Sequence, residues 1–190
     1  MVEAFFIAPI LGEEADHLLA ASDEYMASLY PPESNHLVSS ESLRAGDALF
    51  LGAFVPASGL PETGEAEMPS ETHNGAQAQL GARNHTEEIA KGRCVGCVAA
   101  RFERAAGYAE IKRLFIEREY RGRGIAKALM LAIEAGIRAE RIDCARLEMG
   151  ISQPEANALY RSMGYRDIPP FGNYLLDPLS QFLEKRPLDQ

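Results

Sequence analysis

The chain has 190 residues, 46% of them hydrophobic and 25% charged, a composition typical of a globular protein with one well-buried core. Its formal net charge of -9 at pH 7 argues against non-specific nucleic-acid binding, which requires a net basic face. No apolar run approaches the roughly 18 residues that cross a bilayer, and the apolar N-terminus lacks the basic flank of a signal peptide. We therefore expect a single domain over residues 1–190 of a cytoplasmic protein, without nucleic-acid or membrane partners.

The first part of the chain predicts a strand, two helices and a second strand. Apolar residues at helical spacing between Gly12 and Tyr30 predict a helix that Pro31-Pro32 stops. The other predicted elements are a first strand at Glu3–Ala8, a short second helix at Ser40–Ala45 and a second strand at Ala48–Val55.

The stretch at about residues 56–92 differs in composition from the rest. It is rich in Gly, Ala, Glu, Pro, Ser and Thr and shows no hydrophobic periodicity. It predicts a flexible acidic insertion between the second and third strands, since a loop of this length is unusual inside a compact domain.

The second part predicts two strands joined by a turn, then a helix, a strand, a helix and two last strands. The central helix ends near Ala139, and the next helix begins with the capping box Ser152–Glu155 and closes at Gly164. The predicted strands are Arg93–Glu103, Tyr108–Ile116, Ala145–Gly150, Tyr165–Ile168 and Leu179–Lys185.

The order β-α-α-β-β-β-α-β-α-β-β indicates an α+β fold. One clear βαβ crossover runs from Tyr108–Ile116 through the central helix to Ala145–Gly150. We therefore predict a mixed, mostly antiparallel sheet of about seven strands flanked by four helices.

The three cysteines predict free thiols rather than a disulfide or a metal site. An odd number of cysteines in a chain without an export signal favours reduced thiols. Cys94 and Cys97 form a CxxC without a second pair, on a predicted strand that should direct positions i and i+3 to opposite faces. We expect two partly buried thiols and no metal.

The central stretch, Tyr108–Met130, predicts an anion-binding turn. It passes from an apolar strand through Arg121-Gly122-Arg123-Gly124 into an amphipathic helix. Backbone N–H groups at a helix N-terminus have no partner within the helix, and the helix dipole adds partial positive charge.

With this element order, the chain resembles the GCN5-related N-acetyltransferase (GNAT) superfamily. Arg121, Gly124 and Ala126 match its signature of Arg or Gln, two residues, Gly, one residue, then Gly or Ala. The preceding strand ends at the right distance, and ANALYRSMGY at 156–165 matches a later helix of the family. YPPESNH near the start and PPFGNYLLDPLSQFLEK near the end are similar to a subgroup of small bacterial-type acetyltransferases.

The resemblance implies acetyl-CoA as co-substrate and assigns residues to it. The backbone of Leu114, Phe115 and Ile116 would pair with the pantetheine arm as an added strand. Gln153 stands where many members carry a coenzyme-contacting Asn, seven residues before Tyr160. The pyrophosphate would lie on the turn and helix start formed by Arg121, Gly122, Arg123, Gly124, Ile125, Ala126 and Lys127.

The resemblance also nominates two catalytic side chains. Glu110 lies where related histone acetyltransferases carry a strand glutamate that acts as general base; the alternative is a strand residue that faces solvent or pairs with Lys112 on its own face. Tyr160, which also lies near the coenzyme, would protonate the leaving sulfur; the alternative is a core tyrosine.

The acceptor site is implied only by the location of the first two helices and the last hairpin. Its candidate residues are Glu33, Asn35, His36, Tyr174 and Asp177, and His36 is a rival base. The preferred function is transfer of an acetyl group to a small amine or an amino-acid-like molecule. A protein or peptide N-acetyltransferase and a non-catalytic acyl-CoA sensor are the alternatives, and a homodimer is left open.

Overall fold

The computed structural model describes residues 4–34, 40–43, 47–56 and 92–188. Within them seven strands form one sheet in the order β1-β2-β3-β4-β5-β7-β6. The strands are β1 Phe6–Pro9, β2 Ala48–Pro56, β3 Gly92–Glu103, β4 Tyr108–Ile116, β5 Ala145–Gly150, β6 Arg166–Asp167 and β7 Ser180–Lys185. The helices are α1 Asp16–Leu29, α2 Ser40–Leu43, α3 Ile125–Ala139 and α4 Pro154–Ser162.

The sheet confirms the predicted α+β class and its mixed, mostly antiparallel pairing. Neighbouring strands are antiparallel except β4 and β5, which are parallel and are joined by the crossover through α3. The order of elements is the predicted one. Within the described residues three helices of nine residues or more accompany the sheet, and the predicted fourth, α2, covers four residues.

The bounds of β4 and β5 and the end of α3 agree with the sequence, and the other elements differ from it by a few residues. β1 begins at Phe6, and α4 begins at Pro154 with Gln153 as its N-cap and without a side-chain capping bond, so the predicted capping box from Ser152 is wrong. Apart from its ends, Pro56 and Gly92, the predicted insertion lies outside the described residues.

The core lies between α3 and the sheet. Leu129, Met130, Ile133 and Ile137 form the fully buried apolar stripe of α3, because their spacing places them on one helical face. Glu134 is also buried there, and its two oxygens accept bonds from the hydroxyl of Tyr165 at 2.9 Å and the ammonium of Lys185 at 2.8 Å. No helix in the described ranges is long and apolar enough to cross a membrane.

The predicted orientation of Cys94 and Cys97 is wrong. Gly96 pairs with Ala53 whereas Cys94 pairs with Phe54, so Val95 is an extra residue of β3 and the alternation of side chains shifts by one. Both cysteines therefore pack in the same buried cluster beside α1. They are free thiols as expected, and burial raises the pKa of Cys94 to about 12.

Candidate active site

The site begins where β4 and β5 separate. The two strands pair over three positions only, from Ala109 opposite Ala145 to Ile111 opposite Leu147. Beyond this point β4 continues along β3 with a bulge at Arg113, whose φ is 58°, before it ends at Ile116. The edge of β4 that follows Ile111 is therefore open towards β5 and can pair with an added strand-like ligand.

A cavity of about 110 Å³, here called the inter-strand cavity, fills this opening. The ring of Tyr30, at the end of α1, lies over Gly150 so closely that a Cβ there would be 2.1 Å from it. The hydroxyl of Tyr30 accepts a bond from the amide of Ser152 at 2.8 Å, which ties α1 to the end of β5. Other lining residues are Ser22, Met26, Lys112, Leu114, Glu148, Gln153 and Tyr160.

The glycine-bearing turn begins five residues beyond the end of β4 and leads into α3. Gly122 and Gly124 adopt φ values of 74° and 82°, the left-handed region that favours glycine. A Cβ at either position would meet nothing within 4 Å, so both face open space. Gly124 is the N-cap of α3, and no side chain in the described part of the chain caps this helix, so its first amides can donate to an anion.

The two arginines of this turn also contact protein groups. Arg121 donates from Nε to the carbonyl of Ile116 at 3.0 Å, and its guanidinium lies 5.4 Å from the ring centre of Tyr25 on α1. Arg123 donates to the carbonyl of Glu119 at 3.0 Å. Arg121 therefore connects the turn to the end of β4 and to α1, a role that the sequence did not suggest. Lys127 is exposed on the first turn of α3.

Tyr160 reaches the inter-strand cavity from α4. Its side chain is buried, and burial together with the nearby carboxylate of Glu148 raises its pKa, so the phenol stays protonated. Gln153 lines the same cavity, as do Leu114 and Glu148. Asn157 instead donates to Gln181 at 2.6 Å.

A second cavity of about 810 Å³, here called the outer cavity, lies over β3 and β4 under the loop between β6 and β7. Glu110 lies in its wall and is only 6% exposed. Its lining residues are Ser34, Arg101, Glu103, Ala106, Tyr108, Glu110, Lys112, Phe171, Gly172, Asn173, Tyr174, Leu175, Leu176, Asp177 and Pro178.

Glu110 is held by two donors. The hydroxyl of Tyr174 donates to its Oε1 at 2.7 Å, and the ammonium of Lys112 lies 3.0 Å from the same oxygen. Lys112 also donates to the Tyr174 hydroxyl at 2.5 Å. Among the described residues no donor reaches Oε2. The structure thus contains the ion pair with Lys112 that the sequence analysis gave as the alternative for Glu110, and it adds Tyr174 as a second partner. Burial and the nearby Glu110 raise the pKa of the Tyr174 hydroxyl.

The two cavities meet at Lys112 and Ser34, which line both of them. Tyr160 therefore lies on one side of this junction and Glu110 on the other. Asp177 lines the outer cavity, and its Oδ1 accepts a bond from the amide of Leu179 at 2.8 Å.

The other predicted acceptor residues are not described in full. The backbone of Glu33 lies in the 3₁₀ turn Pro32–Ser34, but its side chain is outside the described part of the chain, as are Asn35 and His36. Their predicted contact with an acceptor stays a prediction.

Three lining residues were not singled out as functional from the sequence. Lys112 shares the face of Glu110 by the two-residue period of a strand, which is the signal that could have nominated it. Glu148 similarly alternates with the buried Leu147 and Met149 on β5. Tyr30 carries no such signal, because its contact with Gly150 depends on how α1 packs.

Comparison with known proteins identifies the family of the chain. Residues 83–167 match the sequence model of the acetyltransferase (GNAT) domain. An IAA acetyltransferase from Azospirillum brasilense is 33% identical over 168 residues, which are 88% of this chain and 87% of that protein. The chain belongs to the GNAT superfamily.

Solved structures show the same fold for this GNAT protein. A Klebsiella pneumoniae protein described as an acyl-CoA N-acyltransferase has a TM-score of 0.65 and 26% identity, over 97% of this chain and 99% of that one. PaiA N-acetyltransferase from Thermoplasma acidophilum, solved with coenzyme A, has a TM-score of 0.59 and 18% identity, over 96% and 99%. The second likeness shows the fold alone. Family membership makes the chain an acyl-CoA-dependent N-acetyltransferase.

Proposed function

We propose that the chain transfers the acetyl group of acetyl-CoA to the primary amine of a small or amino-acid-like acceptor, with Glu110 as base and Tyr160 as acid. The observation that carries this proposal is the meeting of the two cavities at Lys112. The inter-strand cavity contains a protonated phenol, and the outer cavity contains a carboxylate with one oxygen that no described donor reaches. An amine and a thioester brought from opposite sides would meet between these two groups.

The coenzyme fits the open edge of β4 and the glycine-bearing turn. Gly122 and Gly124 leave space for a phosphate, and the amides of the turn through Lys127 can donate to it. The main chain at Leu114–Ile116 would pair with the pantetheine arm. Gln153 and Tyr160 line the path between them. Acetyl-CoA supplies the acyl carbon as a thioester.

Glu110 would take the proton that the amine must lose before its nitrogen forms a bond to the acyl carbon. A carboxylate within hydrogen-bond reach, or one water away, can act as such a base. Tyr174 and Lys112 both contact Oε1, so they fix the carboxyl group while Oε2 accepts the proton. In this role they are positioning residues for Glu110.

Tyr160 would give its proton to the sulfur as the carbon–sulfur bond breaks. Burial keeps the phenol protonated, which is the form that a general acid needs. The products are an N-acetylated amine and coenzyme A as a free thiol. An acceptor that arrives as an ammonium loses two protons in all: Glu110 takes the first before attack and later releases it to solvent, and the second, from the nitrogen of the tetrahedral intermediate, restores the proton that Tyr160 has given to the sulfur.

Release of free thiol from acetyl-CoA tests the proposal. Amines grouped by charge, and peptides with free N-termini, are added in turn, and coenzyme affinity is measured separately by calorimetry. We expect thiol release to depend on a small amine. Release that depends on peptides alone would favour a peptide N-acetyltransferase. Coenzyme binding without thiol release for any acceptor would show a sensor and contradict the proposal.

A further inference from the structure

We propose that the acceptor is a monoamine with an aromatic or branched apolar body, which the outer cavity holds against the loop between β6 and β7. This inference rests on the proposed function and narrows its acceptor. It follows from the walls of the outer cavity and from the way its charges are already paired within the protein.

The loop between β6 and β7 gives the outer cavity one apolar and aromatic side. Phe171 packs edge-on against Tyr108 and Tyr174, with ring centres 5.5 Å and 5.3 Å apart, and forms a rigid aromatic wall. Leu175 and Leu176 follow on the same loop and are 83% and 88% exposed. Two adjacent leucines with this exposure, beside a concave aromatic wall, are typical of a surface that an apolar ligand covers.

Both cationic side chains of the outer cavity already form ion pairs within the protein, so a second charged group on the acceptor would gain little there. Lys112 is paired with Glu110 at 3.0 Å, and Arg101 is paired with Glu103 at 3.3 Å. The second ammonium of a diamine would have to leave water for the cavity, where the remaining carboxylate of the lining, Asp177, already accepts a bond from the amide of Leu179 at 2.8 Å. An acceptor carboxylate would lie among the carboxylates of Glu103, Glu110 and Asp177, and Arg101 already pairs with Glu103. One amine on an otherwise neutral body avoids both costs.

The size of the cavity agrees with this class of acceptor. About 810 Å³ is within the range of a small-molecule site, and the catalytic carboxylate lies in its wall. An amine that reaches Glu110 would place an attached ring or branched chain beside Phe171 and the two leucines. Burial of this body supplies binding energy that ethylamine lacks.

Steady-state thiol release with four amines tests the inference. The panel is 2-phenylethylamine, ethylamine, 1,4-diaminobutane and phenylalanine, so a ring, a second amine and a carboxylate are each varied. We expect kcat/KM for 2-phenylethylamine to exceed that for ethylamine by at least about tenfold, the discrimination that apolar pockets give for small apolar groups. We expect it also to exceed the values for the diamine and the amino acid.

The loop is tested with the double variant Leu175→Ser/Leu176→Ser, which changes only exposed side chains. It should lower kcat/KM for 2-phenylethylamine by about tenfold and lower the value for ethylamine by a clearly smaller factor. Leu11→Ser, at a position that is 82% exposed and outside both cavities, is the matched control and should change neither.

Two results would overturn the inference while the proposed function stands. One is a higher kcat/KM for the diamine or the amino acid than for 2-phenylethylamine. The other is an equal loss for both amines in the double variant. Thiol release with no amine at all would overturn the inference and the proposed function together.

Discussion

The parts of the cleft that we propose as its coenzyme end and its acceptor end are built from different parts of the chain. At the coenzyme end, consecutive residues of β4, the turn and α3 present main-chain groups, and Gly122 and Gly124 contribute by having no side chain. At the acceptor end, Glu110, Lys112 and Tyr174 present side chains that meet across 64 residues of sequence. Main-chain recognition depends on backbone shape, whereas the acceptor end depends on the identity of each side chain.

The difference predicts how each end responds to mutation. A side chain that fills the turn should abolish binding of the coenzyme, while loss of one side chain at the acceptor end should reduce turnover and leave coenzyme affinity intact. Lys112 and Ser34 line both cavities, so substitutions there should change both coenzyme affinity and turnover.

The largest effect should come from Gly124→Trp. A side chain in the open space of the turn would displace a phosphate from at least two amides, and loss of two charge-assisted bonds would weaken coenzyme A binding by about 1,000-fold. Calorimetric titration with coenzyme A measures it. Gly107→Trp is the matched control, because Gly107 has a similar φ of 72° and equally open surroundings. Retained affinity in Gly124→Trp would show that the turn does not bind the coenzyme.

Glu110→Gln should reduce kcat by about 100-fold, the lower range of what a positioned base contributes, and leave coenzyme affinity nearly unchanged. The loss should be greatest at low pH, since at high pH more of the amine has lost its proton to solvent. Glu184→Gln is the control, because it breaks a comparable ion pair with Arg146 at 2.8 Å outside both cavities. An unchanged pH–rate profile in Glu110→Gln would remove Glu110 from the mechanism.

Tyr160→Phe should reduce kcat by about tenfold, less than the loss of the base, because a thiol with a pKa near 8.5 is already a good leaving group. Burial raises the pKa of Tyr160 above its usual value near 10, so the phenol keeps its proton at any pH below 10. In that pH range, turnover of the unaltered protein should not decrease through ionisation of Tyr160. Tyr165→Phe removes a neighbouring hydroxyl that bonds Glu134 and should lower the melting temperature without lowering kcat. Equal kcat in both variants would contradict the acid role.

Tyr174→Phe should have the smallest effect, a reduction of about fivefold in kcat, because Lys112 still contacts Glu110 and the lost hydrogen bond from the hydroxyl to Oε1 is worth about 1 kcal/mol. Its effect should vanish in a Glu110→Gln background, because Tyr174 acts through Glu110. A double-mutant cycle on kcat measures this. Additive losses in the cycle would show that Tyr174 acts on the acceptor independently.

The backbone elements of the proposed coenzyme end could be predicted from the sequence to a greater degree than the side-chain contacts of the proposed acceptor end. The bounds of β4 and β5 and the end of α3 follow from local hydrophobic patterns, and the glycines of the turn stand next to one another in the chain. The three contacts around Glu110 combine β4 with a loop near the C-terminus. A sequence pattern carries no information about that distance, so only the pair with Lys112, two positions away, was foreseen.

At the two strand bulges, the local sequence pattern did not predict the direction of the side chains or the path of the strand. The extra residue Val95 placed Cys94 and Cys97 on one face, although strict alternation predicts opposite faces. The bulge at Arg113 redirects β4 beside the opening, and its left-handed φ of 58° at a non-glycine residue has no sequence signal. Both depend on how neighbouring strands pair.

A titration of ¹⁵N-labelled protein with coenzyme A, followed through backbone amide shifts, tests the central claim most directly. If main-chain groups hold the coenzyme, the amides of Gly122, Gly124 and Ala126 should shift most, together with those of Leu114–Ile116. Shifts confined to the outer cavity, with the turn unchanged, would contradict the division of the cleft into a main-chain coenzyme end and a side-chain acceptor end.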